Sequence, residues 1–273
     1  HYTNYQGKKV STVTSTIPII ENGELSGCFE IFKDLTQVME LSEKIMHLQE
    51  KLYKSSKRKN QFNENGAKYT FENIIGISSS IQQLKSKARR IAGSNSPVLV
   101  YGETGTGKEL LVQAIHNSDP KRKNKPFIAQ NCAALPFTLL ESILFGTAEG
   151  SFTGAKDNPG LFELAHGGTL YLDEVNSLNT ELQAKLLRVI QDGVVRRVGA
   201  AKTKDVDVRI IASTNEHPEE LVKKKLLRED LYYRLNVIYL ELPPLRERKE
   251  DIDALVKHFI DRNNESLGKK VTG

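Results

Sequence analysis

The amino-acid sequence predicts an α/β fold with a mainly parallel sheet. Three observations lead to this expectation. Residues 102–109 form a glycine-rich octet with a lysine, an apolar strand-like run ends in the acids Asp173 and Glu174, and apolar runs alternate with helical patterns over residues 69–245. The length of 273 residues, with 38% hydrophobic and 27% charged residues, is ordinary for a soluble globular chain of one large or two smaller domains.

The first element along the chain is a predicted β-hairpin over residues 10–33. Valine, threonine and isoleucine alternate there at strand spacing, and Asn22 with Gly23 is a typical hairpin turn. A lone hairpin is too small to be stable, so it belongs to a larger domain or packs on a partner. The Asp-Leu-Thr triplet at residues 34–36 resembles the junction between a PAS sensory domain and its signalling helix. This resemblance implies that residues 1–34 are the C-terminal part of an α+β PAS-like domain.

A heptad pattern follows the hairpin. The apolar residues at its a and d positions are Val38, Leu41, Ile45, Leu48 and Leu52. The pattern favours a parallel coiled-coil dimer, but it covers only about two heptads, fewer than a coiled coil normally needs. An amphipathic helix that packs on its own domain therefore remains an alternative. With the polar stretch that comes next, residues 35–68 are interpreted as a signalling helix and linker.

Residues 69–245 are expected to form the α/β domain. Its predicted strands lie at residues 97–101, 127–131, 169–172, 208–212 and 237–240. Its predicted helices lie at residues 81–92, 109–117 and 180–192, and Gly193 ends the last of them. A further amphipathic helix at residues 250–264 is expected to begin a helical lid, in residues 246–273, that the chain does not complete.

The octet at residues 102–109 has the pattern of a phosphate-binding loop. An apolar β-branched run precedes it and a helix-permissive run follows it, which is the order of elements that phosphate binding needs. Its glycines allow successive backbone N–H groups to point inward, and the Lys108 ammonium can hold the β- and γ-phosphates of a nucleotide. The alternative is a glycine-rich turn with a purely structural role. Glu109 stands where a Ser or Thr normally ligates magnesium, so the motif predicts that a phosphate is held but does not indicate how the metal is held.

A second nucleotide element ends the predicted strand at residues 169–172. Asp173, at the carboxyl end of a buried strand, can hold magnesium directly or through water, and Glu174 can polarise the water that attacks the γ-phosphate. An adjacent acid pair by itself often only begins a solvated turn. Its position downstream of a phosphate-binding loop favours the catalytic interpretation.

Charge, cysteine spacing and hydropathy argue against a nucleic-acid surface, a disulfide framework, a zinc site and a membrane span. The net charge of +5 comes largely from basic clusters at residues 54–59, 121–125 and 223–225, which are interpreted as solvated loops and not as a nucleic-acid surface. Cys28 and Cys132 lack the spacing of a disulfide framework or a zinc site. No apolar run is long enough to span a membrane and no secretory leader is recognisable, so a cytoplasmic protein is expected.

The sequence at residues 150–155, Gly-Ser-Phe-Thr-Gly-Ala, resembles the GAFTGA loop of the AAA+ domains of sigma-54-dependent transcriptional activators, the bacterial enhancer-binding proteins. The approach to the loop at residues 141–146 is also similar, and Glu109 is the residue this family carries after its phosphate-loop lysine. The resemblance extends from about Phe71 to the end of the chain. With a PAS-like front it is similar to activators of amino-acid catabolism, including the arginine-utilisation regulator type.

The resemblance implies a role for each matching residue. Asn131 corresponds to the residue that restrains the Walker B glutamate, Asn215 to sensor I, and Arg228 and Arg234 to arginine fingers that reach a neighbouring subunit's nucleotide. Asp173 and Glu174 complete the implied catalytic set. The implied nucleotide-binding residues are Gly102, Glu103, Thr104, Gly105, Thr106, Gly107, Lys108 and Glu109. The implied contacts to sigma-54 are Gly150, Ser151, Phe152, Thr153, Gly154 and Ala155.

The function implied by the resemblance is that of a ring ATPase, a hexamer, that uses ATP and Mg²⁺ to remodel sigma-54 RNA polymerase. DNA binding is expected only from a further domain, since no DNA-binding motif lies in these residues. Two alternatives stay open. One is another AAA+ motor, such as a helicase loader or an unfoldase, and the other is a nucleotide-gated scaffold with little turnover.

Overall fold

The structure is a computed structural model that describes residues 2–3, 9–10, 12–21, 24–34, 65–151, 157–269 and 271. At the N-terminus, β1 (Tyr2–Thr3) pairs antiparallel with β2 (Lys9–Val10), and β3 (Thr12–Glu21) pairs antiparallel with β4 (Glu24–Asp34). The predicted hairpin is therefore confirmed. Its turn at residues 22–23 and the heptad pattern lie outside the described residues.

The pairing register of the hairpin places four large apolar side chains on one face. Ile17 lies opposite Phe29, and directly paired residues of an antiparallel ladder point to the same side of the sheet. Ile19 and Ile31 share this face because they are two residues away from that pair along their strands. All four side chains are at least 45% exposed. This face of the hairpin therefore has no covering among the described residues.

The following strands belong to the α/β domain. They are β5 (Val98–Tyr101), β6 (Phe127–Asn131), β7 (Gly146–Thr147), β8 (Asn158–Pro159), β9 (Thr169–Asp173), β10 (Val194–Arg196), β11 (Thr203–Asp205), β12 (Arg209–Thr214) and β13 (Ile238–Glu241). Five of them form a parallel sheet in the order β13-β5-β12-β9-β6. Two antiparallel pairs, β7 with β8 and β10 with β11, lie outside this sheet.

The helices of the described chain connect and cover these strands. They are α1 (Ser79–Ile91), α2 (Lys108–Asn117), α3 (Phe137–Phe145), α4 (Leu161–Leu164), α5 (Thr180–Asp192), α6 (Pro218–Lys223), α7 (Glu229–Leu235) and α8 (Ile252–Leu267). Short 3₁₀ turns lie at Phe71–Asn73, Val175–Ser177, Leu245–Glu247 and Lys249–Asp251.

The central sheet is buried on both faces. Successive strand side chains point to opposite sides, so Leu170 and Leu172 of β9 pack with α3, α4 and α5, whereas Tyr171 packs with α1 and α2. All six residues of β12 are buried. Parallel strands that helices cover on both faces have continuously apolar sequences. The apolar runs therefore predicted these strands.

The elements predicted for the α/β domain are confirmed, with small shifts at their ends. Each of the five predicted strands ends within two residues of an observed one, and α5 begins and ends where the sequence predicts. Gly193 ends α5 with a φ of 67°, the left-handed conformation that a helix C-terminus favours. The sequence did not predict α3, α4, α6, α7 or the three small antiparallel pairs β1–β2, β7–β8 and β10–β11, because these elements are short or carry no strong apolar period.

A buried ion pair joins three elements at the amino-terminal edge of the sheet. Arg209, the first residue of β12, has a side chain that is 0% exposed and lies 3.2 Å from Asp119 Oδ2. It also donates to the carbonyl oxygens of Ile91, at 2.9 Å, and of Ala92. Burial lowers the pKa of Arg209, and the Asp119 carboxylate opposes that shift. The pair therefore ties the ends of α1 and α2 to the sheet.

We expect Asp119→Ala to lower the free energy of unfolding by about 3–5 kcal/mol, because it leaves the Arg209 charge buried and uncompensated. Equilibrium denaturation with urea measures this change. Glu220→Ala is the matched control, since the Lys223–Glu220 pair has side chains 70% and 52% exposed, and such surface pairs contribute little to stability. A similar small effect of both substitutions would contradict the structural role of the buried pair.

Candidate active site

The candidate catalytic residues meet at the carboxyl-terminal edge of the central sheet. The loop at residues 102–107 follows β5, Asp173 ends β9, and Asn215 follows β12. Asn131 ends β6, where it pairs in register with Asp173. Ligands of open α/β sheets bind at this edge, because loops from several strands converge there. The strand order thus brings together residues that are far apart in the sequence.

The phosphate-binding loop is shaped by its glycines. Gly105 and Gly107 have φ values of 84° and 101°, in the left-handed region that favours glycine. A Cβ atom on Gly102 would lie 2.8 Å from Thr106 Oγ1 and 3.1 Å from the Leu242 side chain. Thr106 Oγ1 donates to the Glu103 carbonyl oxygen at 2.8 Å, which closes the loop on itself. These contacts give the loop a fixed shape that leaves its backbone N–H groups available to phosphate oxygens.

Lys108 begins α2 and lies under the loop. Its Nζ donates to the carbonyl oxygens of Gly102 at 2.7 Å and Glu103 at 3.2 Å, and the residue is 8% exposed. Burial lowers the pKa of Lys108, while the carboxylates of Asp173 and Glu174 raise it. A lysine held here places its charge between the loop and the two acids, where a bound nucleotide would carry its β- and γ-phosphates.

A cleft of about 650 Å³ adjoins the loop. One side is polar and consists of the loop residues 103–107, and the other side is apolar and includes Ile74, Ile75, Leu110 and Phe259. Sites for nucleotides and other small ligands combine an apolar wall with a few polar groups. The cleft therefore offers an apolar side against which a nucleotide base can pack and a polar side for the phosphates.

Two arginines that sequence reasoning missed also line this cleft. Arg246 forms a bidentate pair with the Glu103 carboxylate at 2.5 and 2.7 Å, and Arg248 donates to the Thr106 carbonyl oxygen at 3.3 Å. Side-chain hydrogen bonding to Arg246 lowers the pKa of Glu103. The segment that leads into α8 is thereby fastened to the phosphate-binding loop.

Asp251 fastens the other wall of the cleft. Its carboxylate is fully buried and accepts the backbone N–H of Ile77 at 2.5 Å, and both the N–H and the hydroxyl of Ser78, each at 2.7 Å. Burial raises its pKa, but the bonds from Ser78 and Ile77 outweigh burial, so the pKa is lowered overall. No local pattern in the sequence signals this contact, because the partners lie at opposite ends of the domain.

Asp173 and Glu174 differ in their surroundings. Asp173 Oδ1 accepts hydrogen bonds from the hydroxyls of Tyr171, at 2.9 Å, and Ser213. Glu174 has a φ of 55°, a left-handed conformation that is uncommon for a residue with a side chain. Such backbone strain clusters at functional sites, where neighbouring structure maintains it.

Asn131 contacts the first of the two acids. Its Nδ2 lies 3.5 Å from Asp173 Oδ2, and its Oδ1 accepts the backbone N–H groups of Ala133 at 2.8 Å and Ala134 at 3.1 Å. The family resemblance pairs this asparagine with the glutamate, whereas the hydrogen bond found here goes to the aspartate. Its restraining role on Glu174 therefore stays a prediction.

Asn215 is half-buried and directly follows β12. Its Oδ1 is buried without a hydrogen-bond partner among the described residues. An unpaired buried amide oxygen costs on the order of 1–3 kcal/mol, and such groups in a site call for an explanation in ligand binding or catalysis. This position suits the predicted contact to a γ-phosphate or to the attacking water.

A metal site made of protein ligands alone is not found in the part of the chain that the structure describes, since no three His, Cys, Asp or Glu side chains cluster to hold an ion. This agrees with the chemistry of magnesium, which usually takes one or two carboxylates together with phosphate oxygens and water. Asp173 Oδ2 fits that role. Glu109 is engaged elsewhere, because it accepts a hydrogen bond from Gln113 Nε2 at 2.9 Å.

Arg228 and Arg234 lie on the surface, on and beside α7. The Arg228 guanidinium pairs with Asp230 at 2.7 and 3.0 Å, and its backbone N–H donates to Gln183 Oε1 at 2.8 Å. Arg234 is exposed, and its neighbour Tyr233 is 66% exposed. Arg228 is thus half-buried and Arg234 exposed, and neither lines the cleft beside the phosphate-binding loop of its own chain.

Only the start of the loop at residues 150–155 is described. Gly150 has a φ of 77°, Ser151 is half-buried, and Phe152, Thr153, Gly154 and Ala155 lie outside the described residues. The base of the loop is closed by the pairing of β7 with β8. Arg197 reinforces this base, because it pairs with Asp157 and Glu163 at 2.6 Å each.

Comparisons with known proteins identify the family of this chain. The family model described as the Sigma-54 interaction domain matches residues 74–241. A Bacillus subtilis (strain 168) protein named transcriptional activator RocR is 50% identical over 263 residues, which cover 96% of this chain and 54% of that protein. A Nif-specific regulatory protein of Herbaspirillum seropedicae is 51% identical over 196 residues, which cover 71% of this chain and 36% of that protein. The chain thus spans about half, or less, of the length of these relatives.

Solved structures share the fold. The crystal structure of NtrX from Brucella abortus in complex with ADP has a TM-score of 0.67 and 40% identity, and the match covers 73% of this chain and 44% of that one. The complex of the same protein with ATP has a TM-score of 0.66 and 34% identity, and covers 86% and 48%. Among the described residues of the present chain, no helix has the length and apolar character of a membrane span.

Proposed function

Because the chain belongs to the family of sigma-54 interaction domains, we propose that it is an ATP-hydrolysing motor that remodels sigma-54 RNA polymerase to activate transcription. The observation that carries this proposal is the meeting of Lys108, Asp173, Glu174 and Asn215 at one edge of the sheet, beside a loop with the shape of a phosphate cradle. Each group has a distinct task there.

Nucleotide binding is assigned to the loop and the cleft. The backbone of residues 102–107 and the Lys108 ammonium hold the phosphates, and the apolar wall around Ile74 and Leu110 takes the base. Asp173 is the residue that would hold Mg²⁺, which supplies positive charge beside the transferred phosphoryl group. Glu174 accepts a proton from the attacking water, and Asn215 orients that water or the γ-phosphate.

The position of Arg228 and Arg234 outside the cleft of their own chain supports a ring in which each nucleotide is completed by a neighbouring subunit. An arginine fork can bind developing phosphoryl charge with two parallel hydrogen bonds. The exposed side chains of Tyr233 and Val237, 66% and 56% exposed, lie beside these arginines and supply the apolar surface that a subunit contact needs. We assign this face to contact with the next subunit of a hexamer.

The remaining segments are assigned to regulation. The uncovered apolar face of Ile17, Ile19, Phe29 and Ile31 supports the proposal that residues 1–34 belong to a larger PAS-like sensory domain. Residues 35–68 then act as a signalling helix that pairs two subunits, and residues 246–273 begin the lid. The likeness to RocR favours the arginine-utilisation regulator type among such activators.

The loop at residues 150–155 is the proposed contact to sigma-54, and it provides the test. We expect Phe152→Ala in the full-length protein to retain most of its ATPase activity but to lose binding to sigma-54 in the presence of ADP and aluminium fluoride. The reason is that residues 150–155 lie more than forty positions beyond the phosphate-binding loop in the sequence and match a partner-binding loop of the family, so they contact a partner and not the phosphates. A gel-shift or light-scattering assay with purified sigma-54 measures complex formation.

Phe137→Ala is the control for this experiment, because Phe137 is also a large apolar side chain, 53% exposed, but lies on α3. It should leave complex formation unchanged. Binding retained by a stable Phe152→Ala protein would remove the assignment to sigma-54 and would favour another AAA+ motor. Joint loss of ATPase activity and thermal stability would show that Phe152 is a core residue.

A further inference from the structure

Two buried hydroxyl groups converge on a single oxygen of Asp173. Tyr171 is 2% exposed and Ser213 is 0% exposed. The Tyr171 hydroxyl lies 2.9 Å from Asp173 Oδ1, Ser213 Oγ forms a short contact to the same oxygen, and the two hydroxyl oxygens are 3.0 Å apart. These residues come from β9 and β12, which pair in the central sheet.

The donors and acceptors around this group can be counted. An ionised carboxylate only accepts hydrogen bonds, so each hydroxyl donates its proton to Asp173 Oδ1. Ser213 Oγ in turn accepts the backbone N–H of Glu174 at 3.4 Å, which leaves its own proton free to be donated.

This arrangement distinguishes the two oxygens of the carboxylate. Oδ1 receives two hydroxyl donors, whereas the one donor to Oδ2 among the described residues is the distant Asn131 amide at 3.5 Å. The terminal torsion of an aspartate is broad when nothing restrains it. Two donors that are themselves fixed in neighbouring strands restrict that torsion and leave Oδ2 as the oxygen available to a cation or its water.

We propose that Tyr171 and Ser213 are positioning residues that orient the Asp173 carboxylate toward the divalent cation accompanying the nucleotide. The inference rests on the proposed function, because it needs a nucleotide-bound cation at Asp173. Hydrogen-bond partners behind a metal-binding carboxylate fix its geometry, and their removal typically lowers metal affinity by about 10- to 100-fold.

Ser213 has a second consequence for the site. Its Oγ also contacts the backbone of Glu174, whose left-handed conformation requires support from its neighbours. Ser213 lies on β12, two positions before Asn215. One hydroxyl therefore joins both acids to the strand that leads to the candidate γ-phosphate sensor.

The test is a measurement of cation affinity that does not depend on turnover. A fluorescent ADP analogue is bound first without divalent cation and then titrated with Mg²⁺, and Mn²⁺ binding to the same complex is followed by electron paramagnetic resonance. We expect Ser213→Ala and Tyr171→Phe each to raise the half-saturating cation concentration by about 10-fold or more. Their affinity for the analogue without cation should stay within about twofold, because neither hydroxyl belongs to the phosphate-binding loop.

Matched variants separate positioning from general damage to the sheet. Thr169→Val removes a buried hydroxyl from the opposite end of β9, where it contacts His116 Nδ1 at 2.9 Å, and it should leave the cation affinity unchanged. Ser213→Thr keeps a hydroxyl and should restore much of the affinity that Ser213→Ala loses. Tyr171→Phe retains the ring, and its melting temperature shows whether the fold is intact.

The outcomes are distinguishable. Unchanged cation affinity in folded Ser213→Ala and Tyr171→Phe proteins would overturn the positioning role, even if the wild type binds nucleotide and Mg²⁺ as proposed. Equal loss in Thr169→Val would also overturn it, since the effect would then be one of sheet stability. Failure of the wild type to bind the ADP analogue at all would instead count against the proposed function.

Discussion

Arg228→Ala is expected to lower ATP turnover by about 10³-fold or more, and Arg234→Ala to do the same, because an arginine finger contributes on that scale to phosphoryl transfer. Neither arginine lines the cleft beside the phosphate-binding loop of its own chain, and Arg228 is held on the surface by Asp230 at 2.7 Å. In the proposed ring, each acts on the nucleotide of a neighbour. Steady-state ATPase assays over a range of protein concentrations measure the effect, and wild-type turnover should rise steeply with concentration as rings form.

Mixing inactive subunits tests the action in trans. An Arg228→Ala subunit retains its phosphate-binding loop, and a Lys108→Ala subunit retains its arginines, so mixed rings contain interfaces in which both groups are intact. Activity should return on mixing. The control mixes Glu174→Gln with Lys108→Ala, because both changes disable the nucleotide site of the subunit that carries them and no interface is then complete. If mixed rings form but activity does not return, the trans assignment is wrong.

Glu174→Gln is expected to lower the rate of hydrolysis by about 10²- to 10⁴-fold, the usual contribution of a general base, while ATP affinity stays near that of the wild type. The amide keeps the size of the side chain but cannot accept the proton of the attacking water. Lys108→Ala should instead abolish tight ATP binding, because Lys108 provides the buried positive charge beside the loop.

Two measurements separate these roles. Equilibrium binding of a fluorescent ATP analogue gives the affinity, and single-turnover hydrolysis with excess protein gives the rate of the chemical step. Glu220→Gln is the matched carboxylate-to-amide control, since Glu220 is exposed on α6 and pairs with the surface residue Lys223 at 2.8 Å. It should change neither quantity by more than a few-fold. Comparable losses of affinity in Glu174→Gln and Lys108→Ala would exclude the general-base role of Glu174.

Much of the candidate site could be predicted because its parts are contiguous in the chain. The phosphate-binding loop needs two left-handed glycines and a lysine within one octet, so Gly105, Gly107 and Lys108 are recognisable without any tertiary information. The acid pair at Asp173 follows a strand whose apolar run is itself a local signal. The central strands could also be predicted, since burial on both faces makes the sequence of each strand continuously apolar.

The sequence also predicted which residues belong to one site without indicating how they contact each other. Asn131 was expected to act on Glu174, and its amide instead lies 3.5 Å from Asp173. A motif reports the identity of side chains, whereas their partners depend on rotamers and on backbone geometry such as the left-handed turn at Glu174.

The sequence by itself therefore determined the phosphate-binding loop, the acid pair, the main helices and the strands, because each depends on residues within one short segment. Only the tertiary structure decided the strand order β13-β5-β12-β9-β6 and the contacts that follow from it. Ser213 contacts Asp173 because β12 lies beside β9. Asp251 contacts Ser78 because the segment before α8 packs against the segment before α1. Such pairings join residues far apart in the chain. A pattern read along the sequence contains no information about which strands are neighbours in the sheet.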